Sequence, residues 1–337
     1  HLAALGVTAI ELMPVADFPG RRGWGYDGVL LFAPESAYGT PAALKRLVDA
    51  AHGKGLMVFL DVVYNHFGPE GNFLGAYAPD FFTESIHTPW GAAINFARHG
   101  VREFFIHNAL YWLEEYRFDG LRFDAADRIY DERSPDIFEE LAARVHARFD
   151  GERQVHLVLE NDDNAAHYLV RRPDGRPQFY AAQWNDDIHH VFHVIGTGET
   201  GNYYSDYADH PFARLRRCLC SGFAYQGDVS PFRGNRRRGE CSDGLPPTAF
   251  VSFLQNHDQI GNRALGERLS ALAGAEALKA LTAVLLLAPQ PPLLFMGEEW
   301  AAPERFLFFC DFHDALADTV REGRRNEFAR FAPFRDE

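Results

Sequence analysis

The 337-residue sequence is poor in cysteine, has no long apolar run and carries a deficit of positive charge. Its four cysteines, Cys218, Cys220, Cys241 and Cys310, are too few at this length for a disulfide-stapled fold. Cys218 and Cys220 stand too close together for an ordinary zinc knuckle, and no second pair has matching spacing. The longest apolar stretch, Leu281 to Pro289, falls short of the roughly 18 residues that a membrane-spanning helix needs. With 33 Lys plus Arg against 47 Asp plus Glu the net charge is −14, which argues against nucleic acid or an anionic membrane surface as the main partner. No Gly-rich phosphate turn follows an early strand, so a dinucleotide-binding open sheet is disfavoured; Gly196-Thr-Gly198 does not follow the expected strand. No secretory signal is visible, and the expected location is cytoplasmic. No repeat of fixed period is present, and no feature of the sequence addresses oligomeric state.

Against these absences stand a hydrophobic fraction of 47% and an aromatic fraction of 14%, including 29 Phe, which supply a large core and exclude a disordered chain. Short apolar runs recur at Val7–Leu12, Leu56–Val63, Gly120–Phe123, Val155–Leu159, Phe179–Trp184, Ala249–Leu254 and Pro292–Phe295. Each reads as a strand buried on both faces, because its apolar residues are near-continuous rather than alternating. Helical patterns lie between them. Thr40 caps and Pro41 opens a helix that stops near Gly53. Further helices are expected over Val101–Tyr116, from Ser134-Pro135 to about Phe149, and over Ala275–Leu287, the last of them buried. Alternating strands and helices imply parallel βα units. The expected fold class is α/β, a (β/α)8 TIM barrel that lacks its first strand, with the whole of residues 1–337 as one catalytic barrel. Residues 197–247 read as a long irregular insertion, whose run Arg233-Gly-Asn-Arg-Arg-Arg-Gly239 is expected to be a solvated loop. The start at His1 and the end at Asp336-Glu337 read as those of an excised piece.

Three of the strands end on a carboxylate: Gly120-Leu-Arg122-Phe-Asp124, Leu157-Val-Leu-Glu160 and Phe253-Leu-Gln-Asn-His257-Asp258. Reactive groups of a βα barrel collect at that end. The period of two puts Arg122 and Asp124 on one face and Phe123 on the other. An arginine beside Asp124 favours its anionic form, whereas a second carboxyl in the same mouth should be pushed toward its protonated form. One anionic and one protonated carboxyl serve a retaining glycoside hydrolase as nucleophile and acid/base, and a third can stabilise positive charge on the sugar ring. A single strand-end Asp would more often be a helix cap or a structural ion pair. A fourth strand ends in Asp61-Val-Val-Tyr64-Asn65-His66, which places Asp61 inside the barrel and His66 in the same mouth.

These four segments resemble the four signature regions of the α-amylase superfamily of glycoside hydrolases, in order, spacing and residue type over nearly the whole chain. The resemblance implies Asp124 as nucleophile, Glu160 as acid/base and Asp258 as transition-state stabiliser. It implies that Arg122, His66 and His257 hold the nucleophile and the central sugar, and that Tyr26 of Trp24-Gly-Tyr26-Asp27 stacks on that sugar. Asp61, Asp127, Trp184, Asp186 and Gln259 are further expected substrate contacts. Within the superfamily, Asn256-His-Asp-Gln259-Ile-Gly-Asn262-Arg263, Leu159-Glu160-Asn-Asp-Asp163-Asn, Gln183-Trp-Asn-Asp186-Asp187-Ile-His189-His190 and the tail from Phe306 to Phe331 look most like enzymes that hydrolyse the α-1,4 bond next to a terminal trehalose unit of an α-glucan chain. Glycogen branching enzymes, which usually carry Ser-His-Asp-Glu in the fourth region, are the alternative, as is a non-catalytic carbohydrate-binding barrel. The spacing of Asp186, Asp187, His189, His190 and His193 could ligate zinc, but the resemblance implies no catalytic metal and no cofactor. No loop has an obvious calcium-binding geometry. The resemblance also implies N- and C-terminal β-domains outside this sequence.

Overall fold

A computed structural model describes residues 1–328 and divides them into two compact units. The first comprises His1–Asn161, Arg172–Ala181 and Cys310–Phe312; the second comprises Asp162–Arg171, Ala182–Phe309 and the segment from His313 onward.

The first unit is built on four parallel strands, β1 (Ala9–Leu12), β2 (Met57–Val62), β3 (Gly120–Phe123) and β4 (His156–Glu160), hydrogen-bonded in that order. Helix α1 (Pro41–His52) links β1 to β2, with Thr40 Oγ1 accepting from the Ala43 amide and Pro41 in the first turn. Helix α2 (His99–Glu115) precedes β3 and buries Phe105, Ile106, Ala109, Trp112 and Leu113. Helix α3 (Ile137–Phe149) begins two residues after the expected Ser134-Pro135 start, because Asp136 is its cap and forms a reciprocal capping box with Glu139.

Register decides what shares a face. Glu11 pairs with Phe59, Phe59 with Gly120 and Gly120 with His156; two residues further along, Asp61 pairs with Arg122 and Arg122 with Val158. With a period of two, Glu11, Asp61, Arg122, Asp124 and Glu160 therefore fall on one side of the sheet. Glycine is required at 120: a Cβ there would lie 2.6 Å from the His156 carbonyl, beneath the Phe59 ring that stacks on His156 at 5.6 Å. On the other face Phe123 packs edge-on against Phe138 and Tyr180, as expected.

The second unit carries three parallel strands, β5 (Ala182–Trp184), β6 (Phe250–Phe253) and β7 (Pro292–Leu293). Helix α4 (Asp186–Thr197) is buried from Asp187 to Val194, and its Ile188, Val191 and Phe192 form a core with Tyr204, Tyr207, Leu254, Leu281 and Leu285. Helices α5 (Pro211–Ser221), α6 (His257–Gly261), α7 (Ala275–Leu287) and α8 (Asp314–Phe328) follow. All seven expected strands are present and pair in parallel within each unit, which is the (β/α)8 class short of one strand.

Four expectations need correction. Strands β1 and β7 are not buried on both faces: each pairs with a single strand among the described residues, and β1 is half-buried throughout. Helix α7 is not a buried helix. Leu281 and Leu285, one turn apart, face the core, while Leu286 and Leu287 are 50% and 85% exposed, so its apolar run exceeds the face it buries. The stretch 197–247 is not irregular throughout, since it contains α5 and an antiparallel ribbon of Asp228–Ser230 with Arg236–Arg238. Nor is its arginine run simply solvated: Arg238 is buried, donating to Asp187 at 2.5 Å and Asp162 at 2.8 Å, and Arg233 pairs with Asp162 and Asp163. Of the tail segment singled out above, residues 329–331 lie outside the described residues.

Candidate active site

In the first unit the site is organised by one cation. The Arg122 side chain is wholly buried; Nη1 donates to Asp61 Oδ2 at 2.6 Å and to Asp124 Oδ1 at 2.9 Å, and Nη2 donates to Glu160 Oε2 at 2.6 Å. A planar guanidinium suits this because its donors diverge in fixed directions. Glu160 Oε2 also accepts the Ala125 amide at 2.9 Å. Ala125 turns back behind Asp124 in the left-handed region (φ 41°, ψ 54°), a conformation costing an alanine about 1 kcal/mol, and so directs that amide at Glu160.

Several buried carboxyls crowd one guanidinium, whose pull does not offset burial and their mutual repulsion, and their proton affinities rise. Glu160 is pushed up to about 7, first by burial and then by the charges of Asp124 and Asp127, against the opposing pull of Arg122 and the Ala125 amide. Asp61 rises to about 6, mainly by burial, although Arg122 and the Tyr26 hydroxyl, 2.6 Å away, oppose it. Glu11, on the same face of β1, rises to about 8 through burial and the charges of Asp61 and Glu160. The sequence reading missed Glu11, which lies inside the apolar run Val7–Leu12 instead of at its end. Asp127 is partly buried, with Arg128 at 3.1 Å.

His66 is buried, and burial pulls it down to about 4, so the ring is neutral at pH 7. Its Nε2–H donates to the Tyr26 carbonyl at 3.0 Å, and Nδ1 lies 2.7 Å from Asn65 Oδ1, whose amide can be turned over. A neutral ring fits both partners when the Asn65 NH2 faces Nδ1. Trp90 stacks on His66 at 4.2 Å and 10° while remaining 47% exposed. It sits in the turn of the hairpin formed by Phe82–Thr88 and Gly91–Ile94, a connection with no periodic signal in the sequence. Trp90→Ala should expose His66 and move its titration from about 4 toward the ordinary 6.5, readable by NMR; an unmoved resonance would show that the indole does not shield the ring.

The second unit assembles the remaining expected residues. Asn256 and Gln259 close a capping box on α6: Asn256 Oδ1 accepts the Asp258 amide at 2.9 Å, and Gln259 Oε1 accepts the Asn256 amide at 3.1 Å. The pair that departs from Ser-His-Asp-Glu thus performs the same capping chemistry. Gln259 Nε2 reaches Asp186 Oδ1 at 3.5 Å. The Asp258 side chain is 40% exposed, whereas His257 is buried with its ring 6.1 Å from that of Trp184, itself buried against Phe253.

The motif Asp186 to His193 turns its donors toward protein. Asp187 accepts from Arg238 and Tyr207 at 2.5 Å, from the Ala224 amide at 2.8 Å, and from the Tyr225 amide and Asn164 Nδ2 at 2.9 Å; its pKa lies below the ordinary value despite burial. His189 donates from Nδ1 to the Leu254 carbonyl at 2.6 Å, and His193 contacts Glu199 at 2.7 Å. Among the described residues no group of three or more His, Cys, Asp or Glu side chains could hold a metal ion. No described helix is long and apolar enough to cross a membrane.

A parallel strand–helix array with an arginine clamping strand-end carboxylates defines a class. The catalytic-domain model of alpha amylase matches residues 1–84, and the chain belongs to the α-amylase family of barrel glycoside hydrolases. Within that family it is 44% identical to the malto-oligosyltrehalose trehalohydrolase of Deinococcus radiodurans over 100% of this chain and 55% of that protein. It is 42% identical to the enzyme of the same name from Saccharolobus solfataricus, over 97% of this chain and 57% of the relative. The chain therefore spans little more than half the length of these relatives. A 1,4-alpha-glucan branching enzyme of Burkholderia thailandensis is 43% identical over only 37% of this chain. Among solved structures, a putative alpha amylase from Salmonella typhimurium shares 55% identity at a TM-score of 0.96, covering 98% of this chain and 56% of that one. An alpha-amylase of Geobacillus thermoleovorans, at 18% identity and a TM-score of 0.65 over 98% of this chain and 69% of that one, shares the fold.

Proposed function

We propose that this chain is the catalytic barrel of a retaining hydrolase that cleaves the α-1,4-glucosidic bond next to the terminal trehalose unit of maltooligosyltrehalose and releases trehalose. The observation that carries this reading is Arg122 bridging Asp124 and Glu160. Two carboxyls on one guanidinium lie close together, as suits the short spacing of about 5–5.5 Å in retaining enzymes. Asp124, held beside the cation, attacks the anomeric carbon. Glu160, protonated near neutrality, gives its proton to the departing oxygen and later takes one from water. Asp258 stabilises positive charge on the ring. Tyr26, Asp61, His66, Asp127, Trp184, Asp186, His257 and Gln259 are proposed to surround the sugars, with Trp90 as a further aromatic face. The substrate is uncharged, so the net charge of −14 does not oppose its binding. The low cysteine content fits a cytoplasmic enzyme. The far shorter stretch shared with the branching enzyme favours transfer to water over transfer to sugar.

Incubating the full-length enzyme with maltooligosyltrehalose and with amylose tests the reading. Trehalose release without new branch points is expected; branch formation would assign the site to a transferase. The general acid must be protonated, so kcat/KM should fall as pH rises through about 7. Glu160→Gln should abolish that alkaline limb, lowering turnover of the natural substrate by roughly 10²–10⁴-fold. A glycosyl fluoride, whose leaving group needs no proton, should be cleaved by the variant at a much smaller loss. Equal losses on both substrates would remove Glu160 from the acid role.

A further inference from the structure

Two segments set apart by their sequence, Asn256–Arg263 and the Arg321–Phe328 run, meet within the second unit. Asn262 caps the C-terminus of α6. Its backbone amide donates to the Asp258 carbonyl at 2.9 Å, and its side-chain Nδ2 lies 3.4 Å from Asp258 Oδ1. From α8, Arg324 donates Nη1 to Asn262 Oδ1 at 2.9 Å and Nη2 to the Gly261 carbonyl at 3.1 Å, while its guanidinium stands 4.7 Å from the centre of the Phe308 ring. An arginine can only donate and a carboxylate can only accept, so the amide between them has one permitted orientation: oxygen toward Arg324, NH2 toward Asp258. Without Arg324 the Asn262 side chain would be held only by its 3.4 Å contact with Asp258, and both side chains would be free to shift together.

We infer that Arg324 is a positioning residue for Asp258, acting through Asn262, so that the direction of the Asp258 carboxylate is set from α8. The inference rests on the role proposed above for Asp258. An arm of this kind matters because catalytic geometry is steep: a misplacement of about 1 Å can cost on the order of 10²-fold in rate.

The test uses the full-length enzyme with Asn262→Asp, Asn262→Ala, Arg324→Ala and Arg324→Lys. Asn262→Asp keeps the shape and the contact with Arg324 but sets an acceptor against Asp258. It should lower kcat by about 10²-fold with KM changed by less than about 3-fold. Arg324→Ala should lose about 10-fold in kcat, Arg324→Lys less, and the Arg324→Ala/Asn262→Ala pair no more than the worse single variant, because both cut the same arm. Wild-type kcat in Asn262→Asp, or a double loss equal to the product of the singles, would overturn the inference. Crystal structures of wild type and Arg324→Ala read the geometry directly: the Asn262 side chain and the Asp258 carboxylate should shift from their wild-type positions, and identical side chains would overturn the inference. A wild-type enzyme that releases no trehalose would instead overturn the functional reading, and the two crystal structures would still decide this one.

Discussion

Asp124→Asn is expected to lower kcat on maltooligosyltrehalose by roughly 10⁴-fold or more, with little change in thermal stability. The substitution is nearly isosteric, and the amide oxygen can still accept from Arg122 Nη1, which now lies 2.9 Å from Asp124 Oδ1. What disappears is the anionic oxygen that forms the bond to the anomeric carbon. General acid catalysis by Glu160 and binding of the sugars remain, so KM should move far less than kcat. Mass spectrometry adds an independent reading. A slow fluorinated glycosyl substrate should leave a glycosyl adduct on the Asp124 peptide of wild type and none on the variant. A variant retaining more than a few per cent of the rate, or an adduct on another carboxyl, would remove Asp124 from the nucleophilic role.

Arg122→Met should have the largest effect on stability. Its guanidinium is fully buried and is the ion-pair partner of Asp61, Asp124 and Glu160 together. Removing one partner of a buried ion pair typically costs about 3–5 kcal/mol, because the charge left behind is uncompensated. The sign with pH follows from the carboxyls. In the folded protein Asp61 titrates near 6, Glu160 near 7 and Glu11 near 8, all above their unfolded values near 4. Each contributes stability that is fully present below the unfolded value and is lost as pH rises through the folded one. Taking away the cation raises the folded values further, so the penalty in Arg122→Met should be small near pH 4 and grow through pH 6 to 8. Denaturant melts at several pH values would show this, and a penalty independent of pH would mean that Arg122 acts through packing instead of charge.

Much of this was legible in the sequence for local reasons. Near-continuous apolar runs gave the seven strands, because a parallel strand is covered on both faces once helices pack there. Strand periodicity alone placed Arg122 with Asp124 and turned Phe123 away, and Thr40-Pro41 marked the start of α1 through capping chemistry confined to three residues. The edge strands and α7 were misread because burial depends on what packs against an element, and no run of leucines states that. Glu11 was overlooked because it lies inside its apolar run, with Leu12 after it, and not at the strand end. Register against β2 brings it beneath Asp61, and register is a relation between segments some fifty residues apart.

What the sequence determined by itself, then, was the class of fold and the carboxylates at strand ends, since periodicity and strand termini are properties of contiguous residues. Only the tertiary structure decided how those charges are shared. Arg122 meets three carboxyls from three strands, Trp90 lies over His66, Asp187 gathers five donors and becomes a structural anchor, and Arg324 reaches Asn262 from sixty-two positions away. Proton affinity and side-chain orientation are set by neighbours in space, and those neighbours exist only after the chain has folded.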